Sequence, residues 1–381
     1  MPEAIPPAEI TATALKFLPA ARAADESVQQ KLDALWGAGR RFAVLSGPPG
    51  VGKTRAAEDY LLGIAHKLQL GFPLEACRLS SVFPDFQTRT YSSVEIETTL
   101  RQRGISLLWD LAVLHPQYAY EDLIRGMRLG TAAAGAPSLQ IREGLLGFLS
   151  RCTEVLDSIR PPTDTPSSVI VLDEINRAAL GQLFGEAIYA VDRRGVPVTT
   201  PYSVEGYGSH FCVPSSLLIL GTMNSVDRAI SGFDFALKRR FVVVPMQVQR
   251  EALISRYGGN PRLRSIATKA FDQVSGFLKS ASKTGAVASS ELLIGHSYFL
   301  APASTISDAD ILRWLAQSIQ FQIVPTLLDY SEQGLLAYDA ANLGGSPLAE
   351  FITGGRALAE LTTEAVLAYL NSLEPPAPAA Q

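Results

Sequence analysis

Apolar side chains change their spacing along this chain, and the change divides it into two parts. Over residues 25–36, Val28, Leu32 and Leu35 recur at helical intervals, and 41–46 is then a short apolar run entering a Gly/Pro-rich turn. A helix is expected from 53 to 66. Runs of successive apolar residues at 110–114, 169–172, 217–220 and 241–244 are bounded by polar or turn residues, the pattern of strands covered on both faces of a parallel sheet. Helical segments at 120–127, 144–156 and 180–192 lie between them, so this part predicts an alternating α/β fold over 1–247. Beyond 248 the strand signal stops. Segments 250–257, 263–279, 309–328 and 357–373 keep a helical period, and an all-helical second domain is expected over 248–373. Residues 161–168 read as a Pro/Thr/Ser loop, and 374–381 as a Pro/Ala tail too poor in anchoring residues to pack.

The turn after the first apolar run carries chemistry. Gly47-Pro48-Pro49-Gly50-Val51-Gly52-Lys53-Thr54 satisfies GxxxxGKS/T between a predicted strand and a predicted helix. Gly50 and Gly52 let the backbone fold closely around phosphate oxygens, so that successive N–H groups and the helix N-terminus face negative charge. Lys53 is then expected to reach the β and γ phosphates and Thr54 to ligate Mg²⁺.

Three more segments complete that chemistry. Val169 to Leu172 ends in Asp173 and Glu174, at the carboxyl edge of a sheet where α/β sites are built. Asp173 is expected to complete the metal shell and Glu174 to polarise the attacking water. The apolar run 217–220 leads into Gly221-Thr222-Met223-Asn224, which puts an amide just past a strand end, where it can orient that water. Lys238-Arg239-Arg240-Phe241 sets adjacent arginines before the last strand, and an arginine supplied by a neighbouring subunit can stabilise transition-state charge on the γ-phosphate. Which of the two acts is open.

Composition narrows the setting. Of the 381 residues 47% are hydrophobic and 18% charged, against roughly 25% charged in typical soluble domains, which points to surface covered by neighbours. The net charge of -4 and the lack of a long basic run argue that another subunit holds most of any DNA. No apolar run reaches membrane-spanning length and the first ten residues do not resemble a secretion signal, so a cytoplasmic location is expected. Cys77, Cys152 and Cys212 form no CxxC pair and read as buried thiols. Asp85, Glu95 and Glu97 lack the lysine a nuclease site of that spacing needs.

In this order the motifs resemble the McrB group of AAA+ proteins, within the helix-2-insert clade that includes MoxR and dynein-like AAA domains. The resemblance rests on 115–122 (HPQYAYED), Asp173-Glu174-Ile175-Asn176-Arg177-Ala178, Phe184-Gly185-Glu186, 221–228 (GTMNSVDR), 236–241 and Ile294-Gly295-His296-Ser297-Tyr298-Phe299. It covers about 35–330 and implies an AAA+ sheet domain with an insertion near 129–145, a helical lid, and a homo-oligomeric, hexameric ring with nucleotide between subunits. Asn224 takes the place called sensor 1; Asn176, Arg177, Asp227, Arg228 and His296 become intersubunit or sensor candidates. The implied function is an ATP- or GTP-driven motor that activates an McrC-like nuclease, or another protein partner, in a restriction or antiviral complex acting on DNA. Only a short segment precedes the first strand, so a DNA-reading domain is not visible. The Met-Asn-Thr-Ala-Asp segment linked with GTP use reads Met223-Asn224-Ser225-Val226-Asp227 here, which leaves the base open. A MoxR-like chaperone ATPase acting on a protein client is the alternative, and a nucleotide-gated scaffold without turnover a third reading.

Overall fold

The computed structural model describes residues 26–131, 137–160, 163–226, 239–282, 288–305, 307–336 and 362–373. These fall into two compact units. One holds 26–46, 54–223 and 239–244, the other 47–53, 224–226 and the described residues from 245 to 373.

The first unit begins with α1 (Glu26–Gly37) and β1 (Phe42–Gly47), and α2 (Lys53–Lys67) follows the Gly-rich turn. A short helix α3 (Leu79–Val82) and the helix α4 (Ser93–Gln102) lead to β2 (Leu108–Val113). Ser92 starts α4 through a capping box with Glu95, which satisfies two backbone donors at once. Next come α5 (Tyr120–Leu123), β3 (Arg125–Thr131), β4 (Pro137–Glu143), α6 (Leu145–Ile159) and β5 (Ser168–Asp173). The helices α7 (Leu180–Phe184) and α8 (Ala187–Asp192), the strands β6 (Val198–Val204) and β7 (Gly208–Phe211), then β8 (Leu217–Asn224) and β9 (Val242–Pro245) complete the unit.

Five strands form the central sheet in the order β2-β5-β8-β1-β9. The strands β2, β5 and β8 run parallel, with Val113 opposite Asp173 and Leu172 opposite Gly221. Every residue of β1 is buried, as are the first five of β5 and the first seven of β8. That explains why these strands read as unbroken apolar runs and why the sheet's polar side chains gather at its carboxyl ends. The α6 helix lies close to α5: a Cβ on Gly147 would stand 2.0 Å from the Ile124 carbonyl oxygen. Phe83, Phe86, Tyr91 and Phe148 pack as one aromatic cluster beneath it. At the opposite end of the sheet, Arg194 donates to the carbonyls of Val191, Pro214, Leu217 and Arg41, tying β8 to the residue before β1.

Two expectations for this unit change. The helix predicted over 120–127 ends at Leu123, and the chain continues as an antiparallel hairpin, β3 with β4, in the region where an insertion is expected. Tyr120, Leu123, Ile124 and Met127 have helical spacing, but Met127 and Leu129 also alternate with polar residues and face Ile141 and Leu139 across the hairpin. The helix predicted over 180–192 is broken at Gly185, whose φ of +48° a helix cannot hold. The hairpin β6–β7 is a feature the apolar pattern does not disclose.

A buried charged network joins the two hairpins. Arg151 on α6 pairs with Glu143 on β4, donates to the Tyr91 carbonyl and stacks 3.8 Å from the Tyr207 ring centre. Arg125 on β3 reaches the carbonyls of Gly208 (3.3 Å) and His210 (3.2 Å) on β7.

The second unit is helical apart from the turn at 47–53. It contains α9 (Arg250–Arg256), α10 (Pro261–Ala281), α11 (Asp308–Ser318), α12 (Val324–Glu332) and α13 (Thr363–Ser372). Asn260 caps α10 by accepting from the Leu263 N–H, with Pro261 in the first turn where its missing donor costs nothing. Ile266, Phe271, Val274, Leu278, Phe299, Leu315 and Leu370 meet in its core. The helix predicted over 309–328 is continuous but widens into a π-turn at Ile319–Ile323, which ends two residues before Pro325. The wider turn removes the clash between a proline ring and the preceding turn's carbonyl. Of the helix predicted at 357–373, residues 363–372 are described as helix, and the predicted tail at 374–381 lies outside the described residues.

Candidate nucleotide and metal site

In the sheet unit, α2 and the carboxyl ends of β5 and β8 bring two hydroxyls onto one carboxylate oxygen. Thr54 Oγ1 donates to Asp173 Oδ1 at 2.8 Å, and Thr222 Oγ1 donates to the same oxygen. The Glu174 N–H in turn donates to Thr222 Oγ1 at 3.1 Å. Glu174 has φ 55° and ψ 45°, a left-handed conformation that is uncommon for a residue with a side chain and clusters at functional sites. It turns the chain sharply after Asp173, so the two carboxylates do not alternate as they would along a strand. Arg177 lies 3.6 Å from the Glu174 carboxylate and is itself exposed. Burial pushes the Glu58 carboxyl on α2 up, Arg55 pulls it down, and Asp59, Glu75 and Asp173 add smaller upward pushes. Arg240 lies 3.8 Å from Asp192, whereas Arg239 is exposed.

The second unit holds the Gly-rich turn. Lys53 is 8% exposed, and its ammonium donates to the carbonyls of Gly47 (3.0 Å) and Pro48 (2.9 Å) and to Asn224 Oδ1 (2.7 Å). Gly50 and Gly52 have φ of +75° and +81°, the conformations that make these positions glycine. The turn is gripped by main chain: the Gly295 N–H donates to the Pro49 carbonyl at 2.8 Å and the Ser297 N–H to the Gly50 carbonyl at 3.0 Å. A Cβ on Gly295 would stand 1.9 Å from the Gly50 carbonyl carbon, and one on Gly50 would enter the Tyr298 ring. His296 accepts the Gln249 N–H on Nδ1 at 3.2 Å, which fixes its ring beside this grip.

The predicted residues therefore fall into two groups. Thr54 and Asp173 meet directly, Lys53 and Asn224 meet directly, and His296 belongs to the segment that holds the turn. Asp227 and Arg228 lie outside the described residues. The motif segments 221–228 and 294–299 contain Thr222, Gly295 and Ser297 without disclosing the contacts they make here. A threonine two residues before Asn224 at the end of an apolar strand was the available signal for the first, and the glycine preceding His296 for the second.

The donors at Asp173 are one carboxylate and two hydroxyls, all hard oxygen. Among the described residues no group of three or more His, Cys, Asp or Glu side chains is placed to hold a metal ion by itself. This donor set fits Mg²⁺, which keeps several waters and is held by one or two carboxylates together with phosphate oxygens.

A Gly-rich turn between a buried strand and a helix, an acidic strand end two places away in the sheet, and a polar residue ending the strand between them define an AAA+ P-loop nucleoside triphosphatase fold. The chain's sequence is similar to that of an McrB subunit. It is 28% identical over 233 residues to the type IV methyl-directed restriction enzyme EcoKMcrB subunit of Escherichia coli (strain K12), a match covering 58% of this chain. The chain spans about half the length of that relative, 46% of which is matched. No protein-family model matches the chain. Among solved structures, NtrX from Brucella abortus aligns over 96% of this chain and 72% of its own, with 12% identity and a TM-score of 0.36. The ATP complex of NtrX aligns with 14% identity and a TM-score of 0.34, and at these values neither likeness bears on function. No helix among the described residues is long and apolar enough to cross a membrane.

Proposed function

We propose that this chain is a Mg²⁺-dependent nucleoside triphosphatase, acting on ATP or GTP, that serves as the ring-forming motor of a modification-dependent restriction or antiviral complex and drives a partner nuclease on DNA. The observation carrying the chemical part is the convergence of Thr54 and Thr222 on one oxygen of Asp173, with Glu174 turned out of the strand beside it. The similarity to the restriction subunit from Escherichia coli supports the cellular part and favours it over a chaperone role.

In this reading the N–H groups of 47–54 and the ammonium of Lys53 bind the β and γ phosphates. Thr54 and Asp173 hold Mg²⁺, which neutralises charge on the phosphate oxygens. Glu174 takes a proton from the attacking water and Asn224 orients that water. Arg239, the exposed member of its pair, reaches the neighbouring subunit's γ-phosphate, while Arg240 stays with Asp192. Asn176 and Arg177 pass the state of Glu174 to the next subunit, and the whole assembly works in the cytoplasm.

Phosphate release from ATP and from GTP by the purified chain, with and without Mg²⁺, tests the chemistry. Sizing in the presence of non-hydrolysable nucleotide tests the ring. Absence of turnover with both nucleotides, alone and with a candidate partner nuclease, would end this proposal.

A further inference from the structure

We infer that Thr222 is a positioning residue for hydrolysis: its hydroxyl couples the metal-binding carboxylate of Asp173 to the backbone of Glu174 and so sets the direction of the general base. This deepens the proposed hydrolase reading and rests on it.

The argument begins with burial. Thr222 is 1% exposed near the end of β8, on a strand whose preceding residues are apolar. A buried hydroxyl needs partners, and this one has two of opposite kind. It accepts the N–H of Glu174 at 3.1 Å and donates to Asp173 Oδ1. Those bonds determine its proton, which points at Asp173 because the lone pair on the other side is taken. The Glu174 N–H has left the strand ladder through the left-handed turn, so the hydroxyl is what satisfies it at φ 55°. Without it, the left-handed conformation beside Asp173 loses a hydrogen bond that holds it.

The second consequence concerns charge. Asp173 Oδ1 accepts from both Thr54 and Thr222. Thr54 would present a lone pair to a metal ion, whereas Thr222 would give its proton to Asp173 without being a ligand. Thr222 thus holds the carboxylate rotamer, and it acts through Asp173 and Glu174 without needing to touch phosphate or metal.

Thr222→Val keeps the shape and β-branching while removing the hydroxyl, and Thr222→Ser restores the hydroxyl without the methyl. Four readouts on the full chain separate the possibilities: binding of ATP and GTP in EDTA, kcat for each, the Mg²⁺ concentration for half-maximal rate, and Mn²⁺ affinity with nucleotide bound. Thr222→Val is expected to bind nucleotide in EDTA within twofold of the unaltered protein. Its kcat should fall at least tenfold, with half-maximal Mg²⁺ and the Mn²⁺ dissociation constant raised severalfold. Thr222→Ser should return kcat to within about threefold. Wild-type kcat and metal affinity in Thr222→Val would overturn the inference, as would a Thr222→Ser protein as slow as Thr222→Val. If Thr222→Val does not fold, the same comparison between Thr222→Ser and Thr222→Ala decides. If the unaltered protein turns over neither nucleotide, the hydrolase reading fails on its own, and Mn²⁺ affinity alone still judges Thr222.

Discussion

The carboxylate edge in the sheet unit and the phosphate turn in the helical unit are held by different means. Side chains fix the first: two threonine hydroxyls converge on Asp173, and one of them also takes the Glu174 amide. Main chain and glycines fix the second: Gly295 and Ser297 donate backbone N–H groups to the carbonyls of Pro49 and Gly50, at contact distances that leave no room for a Cβ. The difference teaches where each half is vulnerable. The carboxylate edge should respond to removal of single polar atoms, and the turn to addition of single carbons.

The largest effect expected on the carboxylate side is Glu174→Gln, which should lower phosphate release about 10³-fold by removing the base while nucleotide binding stays within a fewfold of normal. Unchanged release would mean that another group takes the proton. The buried pair behind the same unit comes next. Glu143→Gln removes the countercharge of the buried Arg151 guanidinium and should cost about 3–5 kcal/mol in denaturant unfolding, with little change in nucleotide affinity of the folded protein. On the turn side, Lys53→Ala should weaken triphosphate binding by roughly 100-fold, the range of a charge-assisted hydrogen bond, and filter binding would show it. Smallest is Gly295→Ala, expected to weaken binding about tenfold by forcing the Gly50 carbonyl aside, an effect of about 1.4 kcal/mol. Should Gly295→Ala bind normally, the main-chain grip would be incidental to the turn and the contrast between the two halves would collapse.

Much of the sheet and the phosphate turn was legible because it rests on local pattern. The strands at β1, β5 and β8 are apolar at successive positions since both faces are covered, and the turn has glycines where φ is positive. Hairpins were not legible for the same reason in reverse. At 120–129 the residues Tyr120, Leu123, Ile124 and Met127 satisfy a helical period while Met127 and Leu129 satisfy an alternating one, and only pairing with Leu139 and Ile141 selects the second. Pro201 sits inside β6 and reads locally as a strand breaker, although β6 pairs with β7 on either side of an irregularity between Thr199 and Val204. The meeting of Lys53 with Asn224 joins positions 171 residues apart, so neither motif announces the other. The approach of Arg240 to Asp192 likewise joins positions far apart in sequence.

The latch between 295–297 and the phosphate turn is written almost entirely in peptide groups, apart from the requirement for small residues. Peptide groups persist through most substitutions, so the faces of His296 and Ser297 are open to change without unfastening it. Substitutions at His296 and Ser297 should therefore leave the mechanical link in place, whereas a single added carbon at Gly50 or Gly295 strains it.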